Sequence, residues 1–272
     1  MKISIITPSY NQKEFIERTI LSVISQAGNF EIEYIIMDGL STDTSIEIIQ
    51  KYNDLIISWK FEIKCRTINF IWKSEKDTGQ SDAINKGLKL ATGDIVTYLN
   101  SDDTYSLGTL QKVVNVLWKS DKKWCYGKCR IIDRSENEIR KPITLYKNFL
   151  WSKYSYAKLL SENFISQMTV FWKREVMYEI GLFNPDEHLC MDYEYWLRIG
   201  ERYDPVFINE YISNFRFYHT SKSGSRFDQQ FQDELRIAER YAKWKYKSSL
   251  LLHKFNYTKI VFIYKILSLL KI

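Results

Sequence analysis

Apolar positions along the first 110 residues fall into two alternating rhythms. Residues 2–7 form a β-branched apolar run that reads as a buried strand, closed by the loop Pro8-Ser-Tyr-Asn11. Phe15, Ile16, Ile20, Val23 and Ile24 then recur at helical spacing over 14–26. Residues 33–37 read as the next strand and end on Asp38-Gly39, and Ser41 and Thr42 are N-cap residues for a helix carrying Ile46, Ile48 and Ile49. Residues 56–59 and 70–72 read as strands, 81–91 as a helix closed by Gly93, and 95–99 as a strand that runs into Asp102 and Asp103; a helix over 107–118 follows. Strands alternating with helices of this length predict βαβ units and an α/β fold with a mostly parallel sheet flanked by helices.

After about residue 120 the rhythm changes. Residues 124–127 and 168–172 read as strands separated by a longer mixed stretch, 192–200 as a short helix, and 206–218 as containing a strand. No Pro/Gly/Ser-rich linker divides the two halves, so residues 1–225 are read as one domain. Residues 226–272 form a separate C-terminal region. A charged helical pattern covers 227–247. From 248 to 272, Leu, Ile, Val, Phe and Tyr alternate with Lys254, Lys259, Lys265 and Lys271 and no acidic residue intervenes. This predicts a pair of basic amphipathic helices, suited to an anionic membrane surface or to packing on the domain itself or on a partner subunit.

Composition narrows the classes. A chain of 272 residues with 45% hydrophobic and 15% aromatic content has ample core. The net charge of +6 favours anionic partners, but no nucleic-acid-reading motif accompanies it, so nucleic acid is set aside. Cys65, Cys125, Cys129 and Cys190 form no CxxC pair and no histidine lies near them, which points to free thiols in a reducing cytosol rather than to zinc. The amino terminus reads as a strand and not a signal peptide, and no run reaches membrane-spanning length. GxGxxG and Walker-type loops are absent, against a dinucleotide or P-loop site.

The sharpest chemical signal is Asp94-Ile-Val-Thr-Tyr-Leu-Asn-Ser-Asp-Asp103, an apolar strand that ends on adjacent carboxylates. Carboxylates at the end of a core strand call for a cation, and open α/β sheets bind ligands outside the carboxyl ends of their strands. A hard divalent ion with a bound diphosphate fits such a place.

Four segments occur in order: Ile5-Ile-Thr-Pro-Ser-Tyr-Asn11, Met37-Asp-Gly-Leu-Ser-Thr-Asp43, Gly79-Gln-Ser-Asp-Ala-Ile-Asn-Lys-Gly87 leading to Ala91-Thr-Gly-Asp94, and Asn100-Ser-Asp-Asp103. With Phe171-Trp-Lys-Arg-Glu-Val176 and Met191-Asp-Tyr-Glu-Tyr-Trp-Leu-Arg198, the chain resembles the family 2 glycosyltransferases over residues 2–220, and within them the bacterial enzymes of O-antigen and capsular polysaccharide synthesis. The resemblance implies a GT-A fold, a nucleotide-sugar donor with UDP as the nucleotide, a divalent metal (Mn2+ or Mg2+), and hexosyl transfer with inversion.

Residue by residue, it implies that Asp103 is a metal ligand and Asp102 faces the ribose or the metal. It implies that Thr7, Pro8 and Tyr10 cradle the nucleobase and ribose, and that Asp38 accepts a hydrogen bond from the base. Asp77, Gly79 and Asp82 flank the donor, Asp82 either on a sugar hydroxyl or as a cap of its own helix. Lys86 is a phosphate contact or a solvated helix residue. Asp192 takes the position of the catalytic base, with Glu194 the fallback. Position 191 is Met where the family has Glu. His219 is a metal ligand or a loop residue, Lys222 a phosphate partner, and Trp172 and Trp196 are sugar-stacking or core residues. The implied acceptor is lipid-linked or an oligosaccharide, which with the basic tail places the chain on the inner face of the cytoplasmic membrane; a homodimer stays open. Two other classes stay open as well: a catalytically inactive sugar- or nucleotide-binding protein, and a nucleotidyltransferase on a related sheet.

Overall fold

The computed structural model describes residues 1–118, 120–218 and 227–269. Eight strands form one mixed sheet in the order β3-β2-β1-β4-β7-β6-β8-β5. The parallel half comprises β1 (Lys2–Ser9), β2 (Glu31–Asp38), β3 (Thr67–Ser74) and β4 (Ile95–Tyr98), with α1 (Ile16–Ile24), α2 (Ser45–Ile57) and α3 (Gln80–Leu90) as crossovers. Ile3, Ile5, Ile6, Ile32, Ile35 and Ile36 are fully buried, as expected of strands covered on both faces. After β3 the chain returns to the other side of β1, so a switch point lies between β1 and β4. Ligands bind at such points, outside the carboxyl ends of the strands. Helix α3 lies directly on β1: a Cβ at Gly87 would meet Cγ2 of Ile6 at 2.5 Å.

The second half continues with β5 (Thr104–Tyr105), α4 (Thr109–Leu117), β6 (Trp124–Ile132), α5 (Lys141–Trp151), α6 (Tyr156–Ser161), β7 (Phe171–Lys173), α7 (Glu175–Ile180), α8 (Met191–Gly200) and β8 (Val206–Arg216). Here β7 runs antiparallel to β4 and β6, while β6 and β8 are parallel with an irregularity at Lys128.

Three sequence expectations are corrected. Residues 56–59 are no strand: Ile49, Tyr52 and Ile56 form the buried stripe of α2, which ends at Ile57, and Trp59 is left 84% exposed at φ 57°. The strand expected over 168–172 is a 3-10 turn, Gln167–Thr169, followed by the short β7. The expected helix pair over 248–272 is a single helix, α10 (Lys247–Leu269), preceded by α9 (Phe227–Tyr241); no Gly or Pro interrupts it.

Helix α9 buries Ile237 and Ala238 in the core. Helix α10 turns a polar stripe inward, Ser249, His253 and Asn256, and bonds the end of α6: His253 Nδ1 meets Leu160 O at 2.8 Å and Asn256 Nδ2 donates to Ser161 O at 3.1 Å. Leu251, Leu252 and Phe255 face outward. Among the described residues no helix is long and apolar enough to cross a membrane.

Opposite the switch point, a buried carboxylate closes the turn before β4. Glu33 accepts from Ser4 Oγ at 2.5 Å, from Thr92 N at 2.7 Å and from Thr92 Oγ1 at 2.6 Å. Burial pushes its carboxyl up, but these bonds outweigh that and leave it below the usual range. A lowered native value means stability that is present above the unfolded value and lost as pH falls through the native one. Glu33→Gln is therefore expected to cost about 1–3 kcal/mol at neutral pH and little in strong acid, where the carboxyl is protonated in both states. Urea melts at both pH values check this; an equal loss at both would contradict it.

Candidate active site

The carboxyl ends of β1, β2, β3 and β4 share one edge, and the loops after them are laced together. Asn11 N donates to Ser41 Oγ, Thr42 N to Asn11 Oδ1, Gln12 N to Ser45 Oγ and Gly39 N to Ser9 O. Asp38, 1% exposed, accepts from Ser41 N at 2.9 Å, from Ser41 Oγ and from Ser74 Oγ at 2.7 Å. It therefore ties its own loop while standing beside Ser9, its partner in register. The Ser9 hydroxyl is buried and, among the described residues, has no hydrogen-bond partner, an orphan polar atom on this edge. Pro8 is buried and Tyr10 is 59% exposed, its ring open to solvent. Thr7 points the other way: its hydroxyl is in the core, 3.1 Å from Tyr34 Oη, so its side chain cannot line a donor cleft.

Asp77 approaches the same edge from β3. Its Oδ1 accepts from Gly79 N at 2.9 Å, and a Cβ on Gly39 would meet its Oδ2 at 2.6 Å. Gly79, at φ 128°, lets the chain enter α3. Asp82 caps its own helix, accepting from Thr78 N at 3.0 Å, a bond that lowers its carboxyl. Lys86 is held by Lys76 O, Glu75 and Asp82 within the β3–α3 connection and is not extended toward a phosphate.

Asp102 and Asp103 follow β4. Asp103 is 1% exposed; its Oδ1 accepts from Arg216 N at 2.9 Å and its Oδ2 from Asn100 Nδ2 at 3.2 Å. Asp102 Oδ2 accepts from Tyr218 Oη at 2.8 Å. Burial pushes both carboxyls above their usual range, and for Asp103 the charge of Asp102 adds to it. Arg216 lies behind the pair, fully buried, donating from Nε to Asp102 O and from Nη1 to Asp133 O, with Glu136 at 3.2 Å. Its guanidinium neutralises part of the charge but spends its donors on carbonyls and on Glu136, so among the described residues no other cation bonds the two carboxylates. A hard dication with oxygen ligands suits such a pair. Among the described residues no three His, Cys, Asp or Glu side chains converge. His219 and Lys222 lie outside the described residues.

Sequence reasoning missed the supports of this pair. Asn100 Oδ1 accepts from Gln80 Nε2 at 2.7 Å and its Nδ2 also donates to Gln167 Oε1; Gln167 in turn donates to Tyr98 O. Thr19 Oγ1 donates to the carbonyls of Ser101 and Asp103. Asn100 and Gln80 stand inside the segments already quoted. Arg216 and Gln167 are brought in only by folding.

Asp192 opens α8, half-buried. The phenol of Tyr98, on β4, is held well above its usual range by burial and then by the charges of Asp192 and Asp103. Met191 is buried, and its Sδ accepts from Ser81 Oγ at 2.8 Å, fixing the start of α8 against α3. Glu194 is excluded as a fallback base: its oxygens are taken by Arg198, at 2.9 Å, and by Tyr241 Oη, and Arg198 also binds Ile180 O and Leu182 O. Trp172 and Trp196 are fully buried among Trp124, Phe183 and Tyr195 and cannot stack on a sugar. Two clefts of about 320 and 480 Å³, sharing Arg174 and Tyr178, lie near Asp94 and Ala91, at the amino end of β4 and away from the carboxylates.

The model of the family described as glycosyl transferase family 2 matches residues 4–181. An uncharacterized glycosyltransferase of Mycoplasma genitalium is 30% identical over 190 residues, covering 66% of this chain and 57% of that protein. One of Haemophilus influenzae is 34% identical over 64% of this chain and 62% of its own length. The chain thus spans about six tenths of these two relatives. TuaG of Bacillus subtilis, assigned to teichuronic acid biosynthesis, is 26% identical over 82% of each chain. Among solved structures, the mannosyltransferase PcManGT of Pyrobaculum calidifontis, in complex with GDP-Man and Mn2+, aligns with a TM-score of 0.69 at 17% identity, over 92% of this chain and 68% of its own. S. aureus TarS with UDP-GlcNAc aligns at 0.64 and 15%, over 89% and 66%. At such identities the likeness establishes the fold, the mixed α/β GT-A arrangement.

Proposed function

The chain belongs to glycosyl transferase family 2, and from that premise we propose that it transfers a sugar from a UDP-sugar to a lipid-linked or oligosaccharide acceptor in cell-surface polysaccharide synthesis, with inversion. The observation that carries this reading is the adjacent carboxylate pair at the switch point, Asp103 buried and Asp102 half-buried, with Asp192 of α8 acting together with Asp103 on the phenol of Tyr98. Tyr10, the orphan Ser9 hydroxyl and Asp38 line the side toward the nucleobase, and Asp77 and Gly79 the side toward the ribose and sugar. Asp103, steered by Arg216 N and Asn100, holds a divalent ion, with Asp102 beside it; His219 is proposed as a further ligand. That ion, when bound, supplies charge stabilisation for the departing diphosphate. Asp192 receives the acceptor hydroxyl's proton as its oxygen attacks the anomeric carbon. A thermal-shift screen of nucleotide sugars with Mn2+ or Mg2+ tests the reading: a metal-dependent rise in Tm with UDP-sugars is expected. No rise with any nucleotide sugar would refute it.

We divide the chain into a GT-A domain, 1–225, and a helical region, 226–272, that covers it and meets the inner face of the cytoplasmic membrane. The outward Leu251, Leu252 and Phe255 support the contact. The double substitution Leu251→Glu with Phe255→Glu is expected to weaken sedimentation with phosphatidylglycerol vesicles about tenfold or more, since each buried apolar side chain is worth about 1.5–3 kcal/mol. Undiminished sedimentation would end the membrane proposal.

A further inference from the structure

Helix α9 brings one more carboxylate to the catalytic face. Glu234 is 4% exposed. Its Oε1 accepts from Asn163 Nδ2 at 3.1 Å and from Gln230 Nε2 at 3.3 Å, while no bond among the described residues falls on Oε2. Two contacts lock α9 against the start of α8. Cys190 Sγ, two residues before Asp192, donates to Gln230 O at 3.2 Å, and Glu187 is gripped by Arg236 and Arg240 at 2.6 and 2.9 Å. Gln230 joins the two helices, donating to Glu234 and accepting from Cys190, so Glu234 is fixed behind the head of α8, where the charge of Asp192 acts on it. Position 191 offers no carboxylate for that role, its thioether being turned to Ser81.

We propose that Glu234 is a positioning residue for the catalytic base: from α9 it supplies the second carboxylate that sets the proton affinity of Asp192. The proposal rests on Asp192 as the base.

Among the described residues, the groups facing Glu234 are Asp192, Cys190 and Tyr193 from α8, Lys147 from α5, Asn163 after α6, and Gln230 on its own helix; His253 of α10 lies behind Tyr193. Burial first, then Asp192, push its carboxyl up to about 7, against the bonds from Asn163 and Gln230 and the charge of Lys147. When Glu234 is ionised, its charge raises the proton affinity of Asp192 and makes it the stronger base. When Glu234 is protonated, that support is withdrawn. Activity then falls on the acid side of neutrality as one proton binds to the Glu234–Asp192 pair.

The test is the pH profile of kcat/KM for the full chain with UDP-sugar and Mn2+. Wild type is expected to show an acid limb near neutrality. Glu234→Gln, which keeps the shape and the bonds, is expected to lose that limb and about tenfold in kcat, with donor affinity and Tm held. An unchanged limb in Glu234→Gln, or a fall in Tm with no change in the limb, overturns the proposal. Asn163→Leu is the second variant: it removes a bond that favours the charged form and is expected to move the limb to higher pH. An unmoved limb there also overturns it, even if Glu234→Gln does not fold. Asp192→Asn separates the two readings. Full turnover in that variant removes the base itself, whereas lost turnover together with an unaltered Glu234→Gln limb removes only Glu234.

Discussion

Asp103→Asn is expected to abolish sugar transfer, by about 10³-fold or more, while leaving the ligand-free protein at least as stable as wild type above about pH 5. Loss of an ion that stabilises the leaving diphosphate forfeits several kcal/mol of transition-state stabilisation, about 4 kcal/mol for a thousandfold. The stability half of the prediction follows from sign. Burial and the neighbouring Asp102 raise the native carboxyl of Asp103 above its unfolded value. A group raised in this way contributes stability fully present below the unfolded value and lost as pH rises through the native one. Removing the charge therefore relieves the folded state at neutral pH, and the amide oxygen still accepts from Arg216 N. Thermal melts with and without UDP and Mn2+ check both halves. Wild type is expected to gain more from the ligands as pH rises, Asp103→Asn to gain nothing from Mn2+. A variant that melts early and still responds to Mn2+ would show that Asp103 is structural.

Asp192→Asn is expected to bind donor with wild-type affinity and to lose about 10³-fold in kcat, within the range for removal of a general base. Donor binding is expected to survive because the proposed nucleotide contacts come from the loops after β1, β2 and β3, whereas Asp192 belongs to α8. Single-turnover kinetics with saturating UDP-sugar separate binding from chemistry. Near-normal turnover would take Asp192 out of the reaction.

The parallel half of the sheet was legible in the chain because its strands are buried on both faces and read as unbroken β-branched runs. The same rule misled at residues 56–59, where an apolar run is the exposed end of α2; burial at 49, 52 and 56 shows the helical period. Between residues 125 and 190 the elements are short and their pairings non-local. The alternation within β6 says nothing of its antiparallel partner β7, and α6 and α7 are six residues each. Carboxylates at strand ends stood out because charge there demands a partner. Orientation did not: Thr7 turned inward to Tyr34, Glu194 to Arg198, and Trp172 and Trp196 into the core. Arg216, Tyr98 and Glu234 each take part of their meaning from a neighbour more than 40 residues away, Asp103 for the first and Asp192 for the other two, which no local pattern encodes.

The proposed transfer requires a cation at Asp103. A crystal structure with UDP and Mn2+, collected at the manganese absorption edge, tests it most directly. The expected map has one anomalous peak between the Asp103 carboxylate and the diphosphate, with the uracil beside Tyr10 and Asp38. Bound UDP with no anomalous peak at Asp103 would contradict it.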